Sequence, residues 1–182
     1  MNRVFYIFRH GETDWNKERR CQGHTNIPLN ETGLSQARLL ASRFVDFPLE
    51  IVVSSDLDRA RMTGMIVAET KGIPIILDPR LREMHYGTIE GLTYEAAVEL
   101  HGSELWEKLK CFKPENDLAG FPGGETRAQT KVRFLEAIHE LMEKYPYQHI
   151  GISTHGGVLR NVVHHFLRLL VIRAESTGAY HL

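Results

Sequence analysis

The chain has 182 residues, with 22 Lys and Arg against 23 Asp and Glu and a formal net charge of −1. That balance supplies no bulk attraction for nucleic acid or an anionic membrane, so any affinity for anions has to be local. The length fits one domain burying roughly 70% of its unfolded surface, expected to run over 1–182 with a lid-like insertion around 88–124.

Two cysteines, Cys21 and Cys111, are too few for a disulfide framework and suit a reducing compartment. The start of the chain has no apolar signal-peptide segment, and no run of ~18 apolar residues follows. A cytoplasmic location is therefore expected, with no membrane partner.

Val4–Phe8 reads as a buried strand that runs into Arg9-His10-Gly11. Gly11 to Leu29 has little periodicity and is expected to be a long loop, a feature that in compact domains tends to be functional. Asn30 can cap a helix starting near Glu31, whose apolar stripe is Leu34, Ala37, Ala41 and Phe44. Ile51-Val52-Val53 is a second strand, stopping at Ser54-Ser55-Asp56. A helix from about Asp58 to Thr70 presents Ala60, Gly64 and Val67, and Lys71-Gly72 closes it. Ile75-Ile76-Leu77 is a third strand, followed by an irregular stretch to Leu92 that holds Glu83.

Short helices are expected from Thr93 to about Leu100 and from Ser103 to about Phe112, then a Pro- and Gly-rich loop to Gly124. Thr126-x-x-Gln129 is a capping box opening the longest helix, with Val132, Leu135, Ile138 and Met142 expected inward. His149 to Ser153 is a fourth strand, and Val158 to about Leu170 a last helix. Alternating strands and helices predict an α/β fold, a three-layer α/β/α sandwich around a mostly parallel sheet.

Two of these strands end in His-Gly, at His10-Gly11 and His155-Gly156. As parallel neighbours they would bring both imidazoles to one sheet edge, where open α/β sheets bind ligands. Arg9 accompanies the first imidazole, and Arg59 opens a helix, whose free N–H groups favour anions. Glu83 follows the third strand. The set suits phosphoryl transfer through phosphohistidine. A neutral His attacks phosphorus, two Arg and a second His hold the oxygen charge, and a carboxylic acid protonates the departing alkoxide before activating water. No carboxylate-rich cluster accompanies it, so the chemistry requires no metal or other cofactor.

Arg9-His10-Gly11-Glu12-Thr13 with Trp15-Asn16 resembles the signature of the histidine phosphatase superfamily, the phosphoglycerate mutase-like fold. Ser54-Ser55-Asp56-Leu57-Asp58-Arg59-Ala60-x-x-Thr63 resembles its second motif, and Leu81 to Gly87 with Glu90-Gly91-Leu92 its acid-bearing loop. Phe121-Pro122-Gly123-Gly124-Glu125-Thr126 and Thr154-His155-Gly156-Gly157 complete the pattern, in order, to about Phe166. The resemblance implies His10 as nucleophile, Glu83 as acid and base, and Arg9, Arg59 and His155 around the phosphoryl group. It implies Asn16, Gln22, Gly23 and Gly156 as further phosphate-binding positions. It also implies that His10 is neutral at its nucleophilic nitrogen, the other nitrogen being fixed by a backbone carbonyl.

Plainer readings compete at some positions. Asp78, Glu90 and Glu95 are rivals to Glu83, and Lys17-Glu18-Arg19-Arg20 is either a solvated face or a steering patch at the mouth. His85, His101, His139, His149, His164 and His165 read as structural. The family contains phosphatases and mutases. Mutases usually carry a longer insertion with paired Arg, whereas Glu95 to Lys113 is short and offers Lys108, Lys110 and Lys113. A phosphatase for a small phosphorylated metabolite is favoured, and Cys21 to Asn30 resembles α-ribazole and broad-specificity phosphatases. Phosphoglycerate mutase-type transfer and a non-catalytic phospho-ligand-binding module are the alternatives, and a homodimer is left open. Beyond Phe166 the family pattern is lost. A frayed C-terminus is expected, with Ala179 to Leu182 the start of a strand cut short.

Overall fold

The computed structural model describes residues 3–176, with side chains placed through Leu167. The truncated strand expected at 179–182 lies outside the described residues. Strands β1 (Val4–Arg9), β2 (Ile51–Ser54), β3 (Ile75–Leu77) and β4 (His149–Thr154) form one sheet in the order β1-β4-β2-β3. Every pairing is parallel. β4, the last strand among the described residues, is inserted between β1 and β2, and the register sets Arg9 opposite Thr154.

Successive residues of a strand face opposite ways, so each strand feeds two cores. Ile150, Ile152, Ile51 and Val53 face helices α6 (Arg127–Lys144) and α7 (Gly156–Ser176), packing on Phe134, Ala137, Leu141, Val158 and Val162. Phe8 and Val52 face helices α2 (Glu31–Phe44) and α3 (Asp58–Lys71) through Ala41, Phe44, Val67 and Ala68. The result is the three-layer sandwich. Two expected helix boundaries have visible causes. The Asn30 side chain accepts from Gly33 N at the start of α2, and Gly72, at φ 65°, ends α3 left-handed.

Between β3 and α6, helices α4 (Tyr94–His101) and α5 (Glu104–Lys110) cover the sheet edge. They gather around a separate small core of Ile89, Ala97 and Phe121, joined by Leu105, Trp106 and Leu109.

Three expectations change. The stretch from Gly11 to Leu29 is not loop throughout: helix α1 spans Asp14–Lys17, capped reciprocally by Thr13 and Asn16. Asn fills the place usually held by Glu or Gln, which hides the capping box from a motif reading. Second, Val132 and Met142 of α6 are exposed, at 52% and 42%. The inward face is Arg127, Thr130, Phe134, Ala137 and Leu141; its first two members are polar because they face the cleft described below, which disguises the stripe. Third, α7 begins at Gly156, two residues before the expected Val158, because its first turn is capped from a distant part of the chain.

Candidate active site

A cleft of about 340 Å³ opens at the C-terminal edge of the sheet, bounded by the ends of β1 and β4, the start of α3, and the α4–α5 segment. The adjacency of β1 and β4 delivers the two expected imidazoles there together. His10 and His155 each follow the last residue of their strand, and their ring centroids are 5.1 Å apart.

His10 is 7% exposed, and its Nδ1 lies 2.6 Å from the Gly11 carbonyl. That contact fixes the proton on Nδ1 and leaves Nε2 with its lone pair. Burial, reinforced by the charges of Arg59 and Arg9, lowers the His10 pKa to about 3 despite the opposing Gly11 carbonyl. The imidazole is therefore neutral at ordinary pH.

His155 is fully buried, its Nε2 2.8 Å from Ser55 Oγ, and its Nδ1 has no partner. Burial and the neighbouring Arg59 drive its pKa well below the usual histidine value. When the Ser55 hydroxyl donates to Nε2, the unpartnered Nδ1 carries the hydrogen and becomes a donor with nothing to bond.

Arg59 is 0% exposed. Its Nη1 and Nη2 donate to the Thr25 and Gly23 carbonyls at 2.9 and 2.7 Å, while Nε is unpartnered. Burial lowers its pKa to about 10, which still leaves it charged at neutral pH. Unpaired buried polar atoms are costly; Arg59 lines the cleft, whereas His155 lies behind its wall, its ring against that of His10. Arg9 stays exposed at the mouth, its guanidinium against Gly156.

Glu83 supplies the carboxylate and, among the described residues, is the acidic side chain lining the cleft. It is 9% exposed. Its Oε1 accepts from Met84 N at 2.9 Å and Val158 N at 3.1 Å, and Oε2 accepts from Gly157 N at 2.9 Å. Glu83 is thus the remote cap of α7. Gly157 makes the approach feasible, because a Cβ there would come within 2.5 Å of Glu83 Oε1 and 2.7 Å of the Tyr86 hydroxyl. The rivals are engaged elsewhere. Asp78 caps the turn at Pro79–Leu81 and pairs with Arg80 at 2.7 Å, Glu90 holds a loop, and Glu95 sits in the exposed first turn of α4.

The remaining expected positions divide. Asn16 and Gln22 line the cleft. Asn16 Oδ1 is engaged with Thr13 in the α1 cap, whereas Gln22 is buried with Oε1 unpartnered. Gly23 lines the cleft, but its carbonyl serves Arg59; it sits at φ +53°, and a Cβ there would run into the Glu90 carboxylate. At the head of α7 it is Gly157 that lines the cleft, with Gly156 behind it against Arg9. Arg19 and Arg20 of the basic run stand in the wall too.

Residues that motif reading passed over complete the site. Arg133 donates to the Arg80, Arg82 and Glu83 carbonyls at 2.6–2.7 Å and to both Glu125 oxygens, bracing the acid-bearing loop. His24 Nε2 meets the Glu83 carbonyl at 2.8 Å. Tyr86, Arg127 and Arg160 line the cleft. A buried Arg inside an amphipathic helix was the available signal for Arg127 and Arg133, and only the packing reveals it.

The comparisons with known proteins agree with this geometry. The Arabidopsis thaliana metal-independent phosphoserine phosphatase is 36% identical over 174 residues, covering 94% of this chain and 70% of that protein. Phosphoglycerate mutase-like protein 4 of Arabidopsis thaliana is 35% identical over 158 residues, covering 86% of this chain and 67% of its own. A solved mycobacterial glucosyl-3-phosphoglycerate phosphatase in complex with VO3 superposes with a TM-score of 0.79 at 28% identity, over 89% of this chain and 79% of that one. A profile of the histidine phosphatase superfamily, branch 1, matches residues 5–178, and with the parallel sheet and the paired histidines in place, the chain belongs to that superfamily.

Proposed function

We propose that the protein is a phosphomonoester hydrolase that works through a phosphohistidine on His10. The observation that carries the reading is the pairing of a neutral, carbonyl-anchored His10 with two unsatisfied buried donors, Arg59 Nε and His155 Nδ1. The nucleophile needs no base to unmask it, and in this reading the two donors meet the charge that gathers on the equatorial phosphoryl oxygens.

In the first step the His10 Nε2 lone pair attacks phosphorus. The P–O ester bond breaks, and its electron pair leaves with the alcohol oxygen, which takes a proton from the Glu83 carboxyl. The two Glu83 oxygens are not equivalent. Oε1 already accepts two N–H bonds and Oε2 only one, so Oε2 has room for the transferable proton. In the second step water attacks the phosphohistidine, Glu83 Oε2 takes the water proton, and the N–P bond breaks to release phosphate and neutral His10.

Hydrolysis is favoured over transfer because the α4–α5 segment is short. A small phosphorylated metabolite fits a cleft of about 340 Å³, and phosphoserine and glucosyl-3-phosphoglycerate, named for two relatives, are of that class. Among the described residues no helix is long and apolar enough to cross a membrane. We place the activity in the cytoplasm, where the unpaired Cys21 and Cys111 would stay reduced.

The test is to expose the protein to a radiolabelled phosphate ester and quench in base. Acid-labile label on His10, abolished in His10→Ala together with phosphate release, is the expected result. Full phosphatase activity in His10→Ala would overturn the mechanism. Assay of 3-phosphoglycerate with and without 2,3-bisphosphoglycerate separates the alternatives, since isomerisation outpacing phosphate release would make the protein a mutase.

A further inference from the structure

A neutral imidazole has one hydrogen to give, and the bond made by one ring nitrogen decides which nitrogen carries it. His155 is fully buried, and burial together with the charge of Arg59 keeps it neutral at ordinary pH. Its Nε2 meets Ser55 Oγ at 2.8 Å, while Nδ1 is unpartnered. What His155 offers an anion therefore depends on the direction of a single hydrogen bond.

The surroundings of Ser55 set that direction. Ser55 follows the last residue of β2 and is 0% exposed. Its N–H donates to the Ser153 carbonyl at 3.0 Å, and its own carbonyl accepts from Ser54 Oγ at 2.8 Å. Its Oγ accepts from Leu57 N at 3.3 Å, two residues on, the pattern of a serine turn. An amide N–H can only donate, so this contact takes a lone pair of Oγ and leaves the hydroxyl hydrogen unused. Among the described residues, His155 Nε2 is the one other hydrogen-bond partner of Ser55 Oγ. Were His155 to donate from Nε2 instead, the hydroxyl hydrogen would be buried with no acceptor, which is unfavourable.

We propose that Ser55 is a positioning residue: by donating to Nε2 it holds the His155 hydrogen on Nδ1, so that the buried ring offers an N–H, not a lone pair, to the phosphoryl group. The proposal rests on the hydrolase reading above and adds to it the residue that sets the tautomer of the second histidine. Both site histidines then carry their hydrogen on Nδ1, for opposite reasons. In His10 the Gly11 carbonyl takes up the Nδ1 hydrogen and frees Nε2 to attack. In His155 the Ser55 hydroxyl covers Nε2 and frees the Nδ1 hydrogen to donate. The reverse tautomer would turn a lone pair toward oxygens that gather negative charge, replacing stabilisation with repulsion. Ser55 itself acts only through His155.

The experiment reads the tautomer directly. Long-range nitrogen–proton correlation spectra, with His155→Ala for assignment, should place the His155 hydrogen on Nδ1 in wild type and Ser55→Thr. In Ser55→Ala it should move wholly or partly to Nε2. With p-nitrophenyl phosphate, kcat of Ser55→Ala should fall at least about tenfold, and Ser55→Thr should recover most of the loss. In a His155→Ala background the same Ser55→Ala change should cost less than about twofold, whereas a merely structural serine would cost as much there as in wild type. If Ser55→Ala does not fold, Ser55→Cys, whose thiol is a weak donor, takes its place. A wild-type hydrogen on Nε2, an unmoved tautomer in the variant, or equal losses in the two backgrounds overturns the proposal. Failure of wild type to hydrolyse p-nitrophenyl phosphate would instead remove the hydrolase reading. Orthovanadate binding to the same variants then decides Ser55, by whether the serine change weakens it only where His155 is present.

Discussion

The Glu90 carboxylate holds Thr25 twice, accepting from its N at 2.9 Å and its Oγ1 at 2.7 Å, while the Thr25 carbonyl accepts from Arg59. The other Glu90 oxygen accepts from His24 N and Tyr86 N. Glu90 touches no reacting atom. It fixes the loop whose carbonyls aim Arg59, and joins that loop to the acid-bearing one. Glu90→Gln replaces one acceptor with a donor facing N–H groups. An unsatisfied buried group of this kind costs about 1–3 kcal/mol, so kcat/KM should fall roughly ten- to a hundredfold. The shape of the pH–rate profile should stay the same. An effect below about twofold would show that Arg59 is aimed without Glu90.

Gly157→Ala tests the cap of α7. Its Cβ would come within 2.5 Å of Glu83 Oε1, displacing the carboxylate from the helix N–H groups. Loss of positioned acid–base catalysis is worth about 10²–10⁴-fold, so kcat should fall by at least about tenfold with KM little changed. If KM rises while kcat holds, Gly157 serves binding rather than the acid.

Acid should weaken the fold through the two site histidines. The pKa of His10 drops from 6.5 to about 3 on folding, and that of His155 moves the same way. Below pH 6.5 the unfolded chain takes up protons that the folded protein refuses. Stability therefore declines as pH falls from about 6.5 toward 3, by about 1.4 kcal/mol per pH unit for His10, with His155 acting in the same direction. Urea unfolding of wild type and His10→Gln across pH 4–7 should give a shallower acid slope in the variant. Parallel slopes would mean that His10 is protonated in the folded state.

Arg127 fastens the α4–α5 segment to α6. It donates to the Cys111 and Lys113 carbonyls and to Asp117, and stacks on Phe112 with its guanidinium carbon 4.6 Å from the ring centroid. Breaking a buried ion pair costs about 3–5 kcal/mol, less here because Lys131 also holds Asp117. Arg127→Met should lower Tm by roughly 5 °C and expose the stretch 111–118 to limited proteolysis before the rest of the chain. Simultaneous cleavage across the molecule would show that the segment does not open separately.

The sheet and the two histidines were legible because their signals are local: strand-forming runs of three to six residues, each ending in a polar turn. Parallel pairing then follows from the helix between each pair of strands. What stayed hidden depends on distant partners. The start of α7 is set by Glu83, more than seventy positions earlier, so no local cap announces it. The inward face of α6 begins with Arg127 and Thr130, and a search for apolar periodicity settles on Val132 and Met142 instead. Arg133 and Glu90 act on backbone groups, which carry no sequence signature. Asn16 and Gly23 lie where their motifs put them, yet their hydrogen bonds support the site from behind.

The placement of β4 also bears on when the pocket comes into being. Its neighbours on both sides, β1 and β2, are made long before it. Until β4 slots between them, His10 has no His155 beside it, and Glu83 has no helix to cap. During synthesis the Arg9-His10-Gly11 stretch is therefore complete well before its partners, and β4, the last strand among the described residues, completes the described sheet and brings His155 beside His10 in one event.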